Sequence, residues 1–81
     1  MTYDVVVPPM GETIVRGRIG GWRKQVGDRV AADEELFELL TDKADVMVPA
    51  PAAGILREIR AASGDEVAVG SVVAVIDDGA P

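Results

Sequence analysis

One side chain in this sequence has both the type and the setting for covalent chemistry, the amine of Lys43 in Thr41-Asp42-Lys43-Ala44. The chain has no cysteine and no histidine. Disulfides, thiolate nucleophiles, thiolate or imidazole metal sites and Ser-His-Asp catalysis therefore lack the side chains that perform them. No catalytic residue and no metal site is expected. A lone lysine with no burying neighbour and no second cation nearby is a poor catalyst, because nothing lowers its pKa. It is, however, an accessible acceptor. Acylation of such an amine removes its charge and can attach a functional group. A carrier role is the reading that makes chemical sense of Lys43.

The elements that must present it follow from the punctuation around it. Between a strand ending near Thr41 and another starting near Asp45 lies Asp42-Lys43, a connection of two residues. Hairpin loops of that length put their central side chains at an exposed tip. Asn-Gly or Asp-Gly, which tight hairpins prefer, is absent, so turn formation alone does not account for these residues. The only other lysine, Lys24, lies beside the strand of Trp22 with no comparable turn. The bland alternative is an unmodified β interaction module in which Lys43 is merely a polar turn residue.

Eighty-one residues make one small domain, and one that must be stabilised by packing alone. Thirteen valines and eleven alanines favour half-buried pleated surfaces, so an all-β fold is expected. The net charge of -6, with no basic cluster, argues against a nucleic-acid partner. Apolar stretches are too short for a spanning helix, and Met-Thr-Tyr-Asp is not a signal start, so no membrane partner is expected. A cytoplasmic or mitochondrial-matrix protein, monomeric as an isolated domain, is the corresponding expectation.

Gly and Pro clusters cut the chain into apolar runs of strand length: 5–7, 14–19, 36–40, 46–48, 55–59, 67–69 and 72–76. The window Ala31 to Leu40 has helical propensity and helical spacing of Leu36, Leu39 and Leu40. An internal repeat decides against a helix. At an offset of 37, Gly17 meets Gly54, Arg23 meets Arg60, Gly27-Asp28 meets Gly64-Asp65 and Val30-Ala31 meets Val67-Ala68. The ambiguous window then falls on Val72-Val73-Ala74-Val75-Ile76, a strand sequence. Asp4-Val5-Val6-Val7-Pro8 matches Asp45-Val46-Met47-Val48-Pro49 at an offset of 41, which places about four inserted residues between Pro9 and Gly17. Two halves of about four strands, each covering the other's apolar face, make a pseudo-twofold sandwich. The lysine turn joins them.

Leu40-Thr41-Asp42-Lys43-Ala44 with Val48-Pro49-Ala50-Pro51-Ala52-Ala53-Gly54 resembles the lipoyl domains of the acyltransferase (E2) subunits of 2-oxo acid dehydrogenase complexes. Val7-Pro8-Pro9-Met10-Gly11-Glu12, Trp22, Val26-Gly27-Asp28 and Gly64-Asp65-Glu66-Val67 extend the likeness over nearly the whole chain. The resemblance implies a flattened barrel of two four-stranded antiparallel sheets, residues 1–77, with 78–81 opening a flexible linker. It implies lipoic acid in amide linkage on Lys43, flanked by Asp42 and Ala44. It implies as partners a lipoylating enzyme, a thiamin-diphosphate decarboxylase (E1) that acylates the arm, the E2 core that passes the acyl group to coenzyme A, and a flavoprotein (E3, dihydrolipoamide dehydrogenase) that reoxidises the dithiol. Partner recognition would fall on Met10, Gly11, Glu12, Thr13, Ile14, Val15 and Thr41. Met10-Gly11-Glu12 and Val48-Pro49-Ala50-Pro51 lean towards the 2-oxoglutarate (succinyl) type over pyruvate or branched-chain types. A biotin carrier would place Met on both sides of the lysine, and a glycine-cleavage H protein would be longer. Leu40 stands where the family usually has Glu, with Glu38 or Asp45 as candidates to compensate.

Of the remaining residues, Trp22 is expected in the core. Gly27, Gly54 and Gly64 are expected at backbone positions needing permissive φ. Asp28 and Asp65 should close turns through side-chain to backbone bonds. Gly17-Arg18-Ile19-Gly20-Gly21 lacks the spacing and context of a nucleotide loop.

Overall fold

Residues that alternate between apolar and polar can bury one face of an extended chain and wet the other. Arg16–Trp22 shows it, with Gly17 and Ile19 buried between exposed Arg16, Arg18 and Gly20. The computed structural model describes residues 1–9, 15–42 and 44–79. Its strands are β1 (Thr2–Val6), β2 (Arg16–Trp22), β3 (Arg29–Val30), β4 (Glu35–Leu40), β5 (Asp45–Pro49), β6 (Gly54–Ile59), β7 (Glu66–Ala68) and β8 (Val72–Asp77). No helix occurs among the described residues. The strands form two four-stranded antiparallel sheets, ordered β1-β8-β6-β3 and β5-β4-β2-β7.

Replacing each strand by its counterpart in the other half turns one order into the other. The hydrogen bonds repeat with it. The Gly27 N–H donates to Leu56 O and the Gly64 N–H to Ile19 O, both at 2.7 Å, and Arg23 N–H to Leu36 O and Arg60 N–H to Val73 O match at 2.7 Å. The register slips between Ile19 and Gly21 in one half and between Leu56 and Glu58 in the other. This is the pseudo-twofold architecture expected from the repeat. The Ala31–Leu40 window ends in strand β4, as its repeat partner required, because pairing with both β2 and β5 outweighs local helical propensity.

The core consists of matched positions from both halves: Ile19 with Leu56, Leu36 with Val73, Leu39 with Ile76, Val5 with Val48. Each large side chain fully buried here contributes about 2 kcal/mol of transfer free energy, and no disulfide supplements it. Phe37 faces the position of Ala74 under the twofold, and Trp22 packs on Phe37 with ring centroids 4.7 Å apart. The half-buried Trp22 therefore belongs to the core, and its indole N–H donates to Ala61 O at 2.8 Å across the two halves. Asp28 and Asp65 close equivalent turns, their carboxylates accepting from the N–H groups of Gln25 and Ala62, each at 2.9 Å.

Three expectations change. Strand β3 is only two residues long and was not among the apolar runs, since its Arg29-Val30 gives alternation nothing to register. The first strand aligns with β5 at an offset of 43, not 41: Thr2 pairs with Asp77 as Asp45 pairs with Leu40, and Val5 with Ala74 as Val48 with Phe37. A shift of two residues leaves every side chain on the same face, so sequence pattern cannot tell 41 from 43, whereas the ladder can. The first half thus carries six extra residues before Gly17. Finally, Gly27 and Gly64 do have φ of 98° and 93°, but Gly54 is not among the positive-φ residues. Gly54 is required by close approach instead, since a Cβ there would lie 2.4 Å from Asp77 O.

Candidate functional site

Strands β4 and β5 pair from Glu35–Pro49 up to Leu40–Asp45, and the turn 41–44 closes the hairpin. The Thr41 N–H donates to Ala44 O at 3.1 Å. The Thr41 hydroxyl donates to the same carbonyl at 2.7 Å and its oxygen accepts the Ala44 N–H at 3.1 Å. Both backbone polar atoms of Ala44 are thereby held by one residue. Asp42 and Ala44, the neighbours of Lys43, are exposed. Lys43 itself lies outside the described residues, as do Met10, Gly11, Glu12, Thr13 and Ile14 of the proposed recognition segment.

Lys24, by contrast, is half-buried and ion-paired with Glu34 at 3.0 Å. The Ala31 N–H, and after it the Lys24 ammonium, hold the Glu34 carboxyl below its ordinary range. A lysine committed to such a pair is a poor acceptor for acylation.

The turn borders a groove of about 360 Å³ lined by Arg16, Gly17, Arg18, Leu40, Thr41 and Asp42, with Glu66 opposite. Arg16 and Glu66, on the paired strands β2 and β7, form an ion pair of 2.7 Å in its lining. Val15, exposed and anchored through its carbonyl to the Val69 N–H at 2.9 Å, leads directly into Arg16. Val15 is thus the residue before a groove that Arg16 and Thr41 both line. Leu40 is half-buried, and a Cβ at Gly20 would lie 3.1 Å from Leu40 Cγ and 2.8 Å from Glu38 Oε1. Leu40 and Glu38 therefore lie over Gly20. Asp45 sits exposed opposite Leu40 and is the acid nearest in register to the turn.

Sequence reading missed Arg16, Arg18 and Glu66 beside the turn. The repeat carried the signal, because it aligns Arg16 and Arg18 with Ala53 and Ile55. A second groove, of about 400 Å³, is lined by Arg29, Ala53, Gly54, Ile55, Asp77, Asp78 and Gly79 among others, which are the twofold counterparts of the first. Such a cleft is a product of the fold, and only its lining distinguishes the turn end.

Two β halves of matching strand order are joined by the short connection between β4 and β5, and no cluster of metal-ligating residues occurs among the described ones. The family model described as "Biotin-requiring enzyme" matches residues 3–76, and the chain belongs to that biotinyl/lipoyl family. It is 46% identical, over 96% of its length, to the dihydrolipoyllysine-residue acetyltransferase component of the pyruvate dehydrogenase complex of Corynebacterium glutamicum. It is 45% identical, over 99% of its length, to the dihydrolipoyllysine-residue succinyltransferase component of the 2-oxoglutarate dehydrogenase complex of Bartonella vinsonii. The chain spans 12% and 20% of the length of these two relatives. The solution structure of the lipoyl domain of the 2-oxoglutarate dehydrogenase complex from Azotobacter vinelandii superposes with a TM-score of 0.77 at 32% identity, covering 95% of this chain and 98% of that one. Fold and family agree with the sequence reading.

Proposed function

We propose that this chain is the lipoyl carrier domain of a 2-oxo acid dehydrogenase complex, with lipoic acid in amide linkage on Lys43. The observation that carries the reading is the hairpin closed by Thr41 and Ala44 around Asp42-Lys43, at the join of the two halves. When attached, the lipoyl group supplies a dithiolane that accepts an acyl group together with two electrons. The chain's own residues position and present it. The paired strands β4 and β5 hold the turn on a rigid base, and the exposed flanks Asp42 and Ala44 leave a modifying enzyme room to approach. Tethering then keeps the carried group at high effective concentration near successive E1, E2-core and E3 sites. On this reading the domain itself catalyses nothing.

The 2-oxoglutarate type is supported by the likeness to the Azotobacter domain. The Corynebacterium relative supports the pyruvate type as the second reading. Intact mass after co-expression with a lipoylating enzyme should rise by one lipoyl group in the parent and not in Lys43→Arg. No adduct, or a biotinyl adduct, would overturn the carrier assignment. Reductive acylation of the loaded domain by 2-oxoglutarate-specific and pyruvate-specific E1, run side by side, then decides the type.

A further inference from the structure

We infer that Thr41 is the positioning residue of the acceptor turn, acting through its hydroxyl on the backbone of Ala44 rather than as a contact for partner proteins. Lys43 is the residue immediately before Ala44. A turn of this length leaves its two central residues with one span to bridge, and that span is set by where residues 41 and 44 are held.

Among the described residues three hydrogen bonds join them, and two use the hydroxyl. It donates to Ala44 O (2.7 Å) and accepts from Ala44 N (3.1 Å), while the Thr41 N–H reaches the same carbonyl at 3.1 Å. A hydroxyl can do this because it carries one donor and two acceptor lone pairs. A carboxylate could take the Ala44 N–H but would face the Ala44 carbonyl with a second negative oxygen. A methyl could do neither.

The twofold mate sharpens the assignment. At the other end Asp78 occupies the position of Thr41 and Met1 that of Ala44, with the Asp78 N–H donating to Met1 O at 3.1 Å and Asp78 Oδ1 3.1 Å from the Met1 nitrogen. Both ends therefore place a side-chain oxygen on the partner's nitrogen. Only the turn end uses a group that also donates.

The role concerns amide formation on Lys43, in which the ε-nitrogen attacks an activated lipoyl carbonyl, the activating group leaves and the nitrogen loses a proton. With Thr41 and Ala44 already held to each other, the modifying enzyme is spared the cost of ordering these two residues. The inference thus rests on the carrier reading for its consequence, and on the turn geometry for its cause.

Lipoylation kinetics of the 81-residue chain test it, using Thr41→Val, Thr41→Ser and the parent. Losing two hydrogen bonds should lower kcat/KM for lipoylation in Thr41→Val by about tenfold, with thermal stability little changed, and Thr41→Ser should restore the rate to within about twofold. A Thr41→Val domain modified at the parental rate, or a Thr41→Ser domain as slow as Thr41→Val, overturns the role. Amide hydrogen exchange of Ala44 in the unmodified domains supplies an independent arm. Protection should fall about tenfold in Thr41→Val and stay in Thr41→Ser, and unchanged protection in Thr41→Val also overturns it. Should the parent accept no lipoyl group, the carrier reading fails, and the exchange arm still judges whether Thr41 holds the turn.

Discussion

The two ends of this domain are built on one plan and finished differently. At one, Thr41 and Ala44 are connected through Asp42-Lys43; at the other, their counterparts Asp78 and Met1 meet as separate strands. The same backbone bond, 3.1 Å long in both, closes each pair of strands. Around it the chemistry diverges. At the Asp78 end, Arg57 binds Asp77 at 2.8 Å and the Met1 nitrogen binds Asp78. At the turn end, Gly20 and Leu40 occupy the positions of Arg57 and Asp77, and an uncharged hydroxyl replaces the Asp78 carboxylate. The pairing strands are thus latched by charged groups at one end and by a hydroxyl at the other, where the ion pair of Arg16 and Glu66 lies on the neighbouring strands β2 and β7. On the proposed carrier reading the second arrangement suits an acceptor turn, since the latch itself holds no carboxylate to compete for the amine.

If the backbone frame alone defines an acceptor, the comparison can be broken by making the ends identical. Replacing residues 79–81 with Asp-Lys, joining the chain head to tail and introducing Asp78→Thr should create a second acceptor. Intact mass should then show two lipoyl adducts, one of which survives Lys43→Arg. A single adduct would mean that the modifying enzyme reads more than the turn, with Arg16, Arg18 and the segment before them the first places to look.

A smaller effect tests the packing beneath each end. A Cβ at Gly54 would meet Asp77 O at 2.4 Å, whereas one at Gly17 would meet Leu40 O and Leu39 Cδ1 at 3.0 Å. Gly54→Ala should cost about 3 kcal/mol and Gly17→Ala about 1 kcal/mol, read from urea unfolding. Equal losses would show that the two halves relax alike despite the different clearances.

The smallest expected effect is in pH. The Gly79 N–H, and after it the Arg57 guanidinium, hold the Asp77 carboxyl below its ordinary 3.8. A carboxylate whose folded pKa is depressed adds stability that is present in full above 3.8 and is lost as the pH falls through the folded value. Amide protection at Asp78 and Gly79 should therefore decline below about pH 3.8 while that of Ala44, held by a hydroxyl with no proton to gain, follows only global stability. Asp77→Asn should abolish the difference, and a parallel decline at both ends would remove the distinction between them.

How much of this was legible in the sequence depended on which feature repeated. Gly27-Asp28 and Gly64-Asp65 marked equivalent turns because a positive φ and an Asp cap restrict the residues allowed there, and the bonds from Gln25 and Ala62 bear that out. The strand nature of Glu35–Leu40 could be read only through its mate, since its own residues favour helix. Register was not legible, because alternation has a period of two and an error of two is silent. The role of Gly54 was hidden for a related reason, as close approach to Asp77 depends on strands distant in sequence. The turn was conspicuous from its residue types, but the Thr41 latch needed coordinates, since a threonine can equally face solvent or a partner.

Trp22 and its bond to Ala61 carry one more consequence, in optical terms. The chain has one tryptophan, and its indole bridges from β2 to the segment after β6, on the far side of the internal twofold. Its fluorescence is thus an intrinsic gauge of whether the two halves remain docked, readable without any label on the turn between β4 and β5.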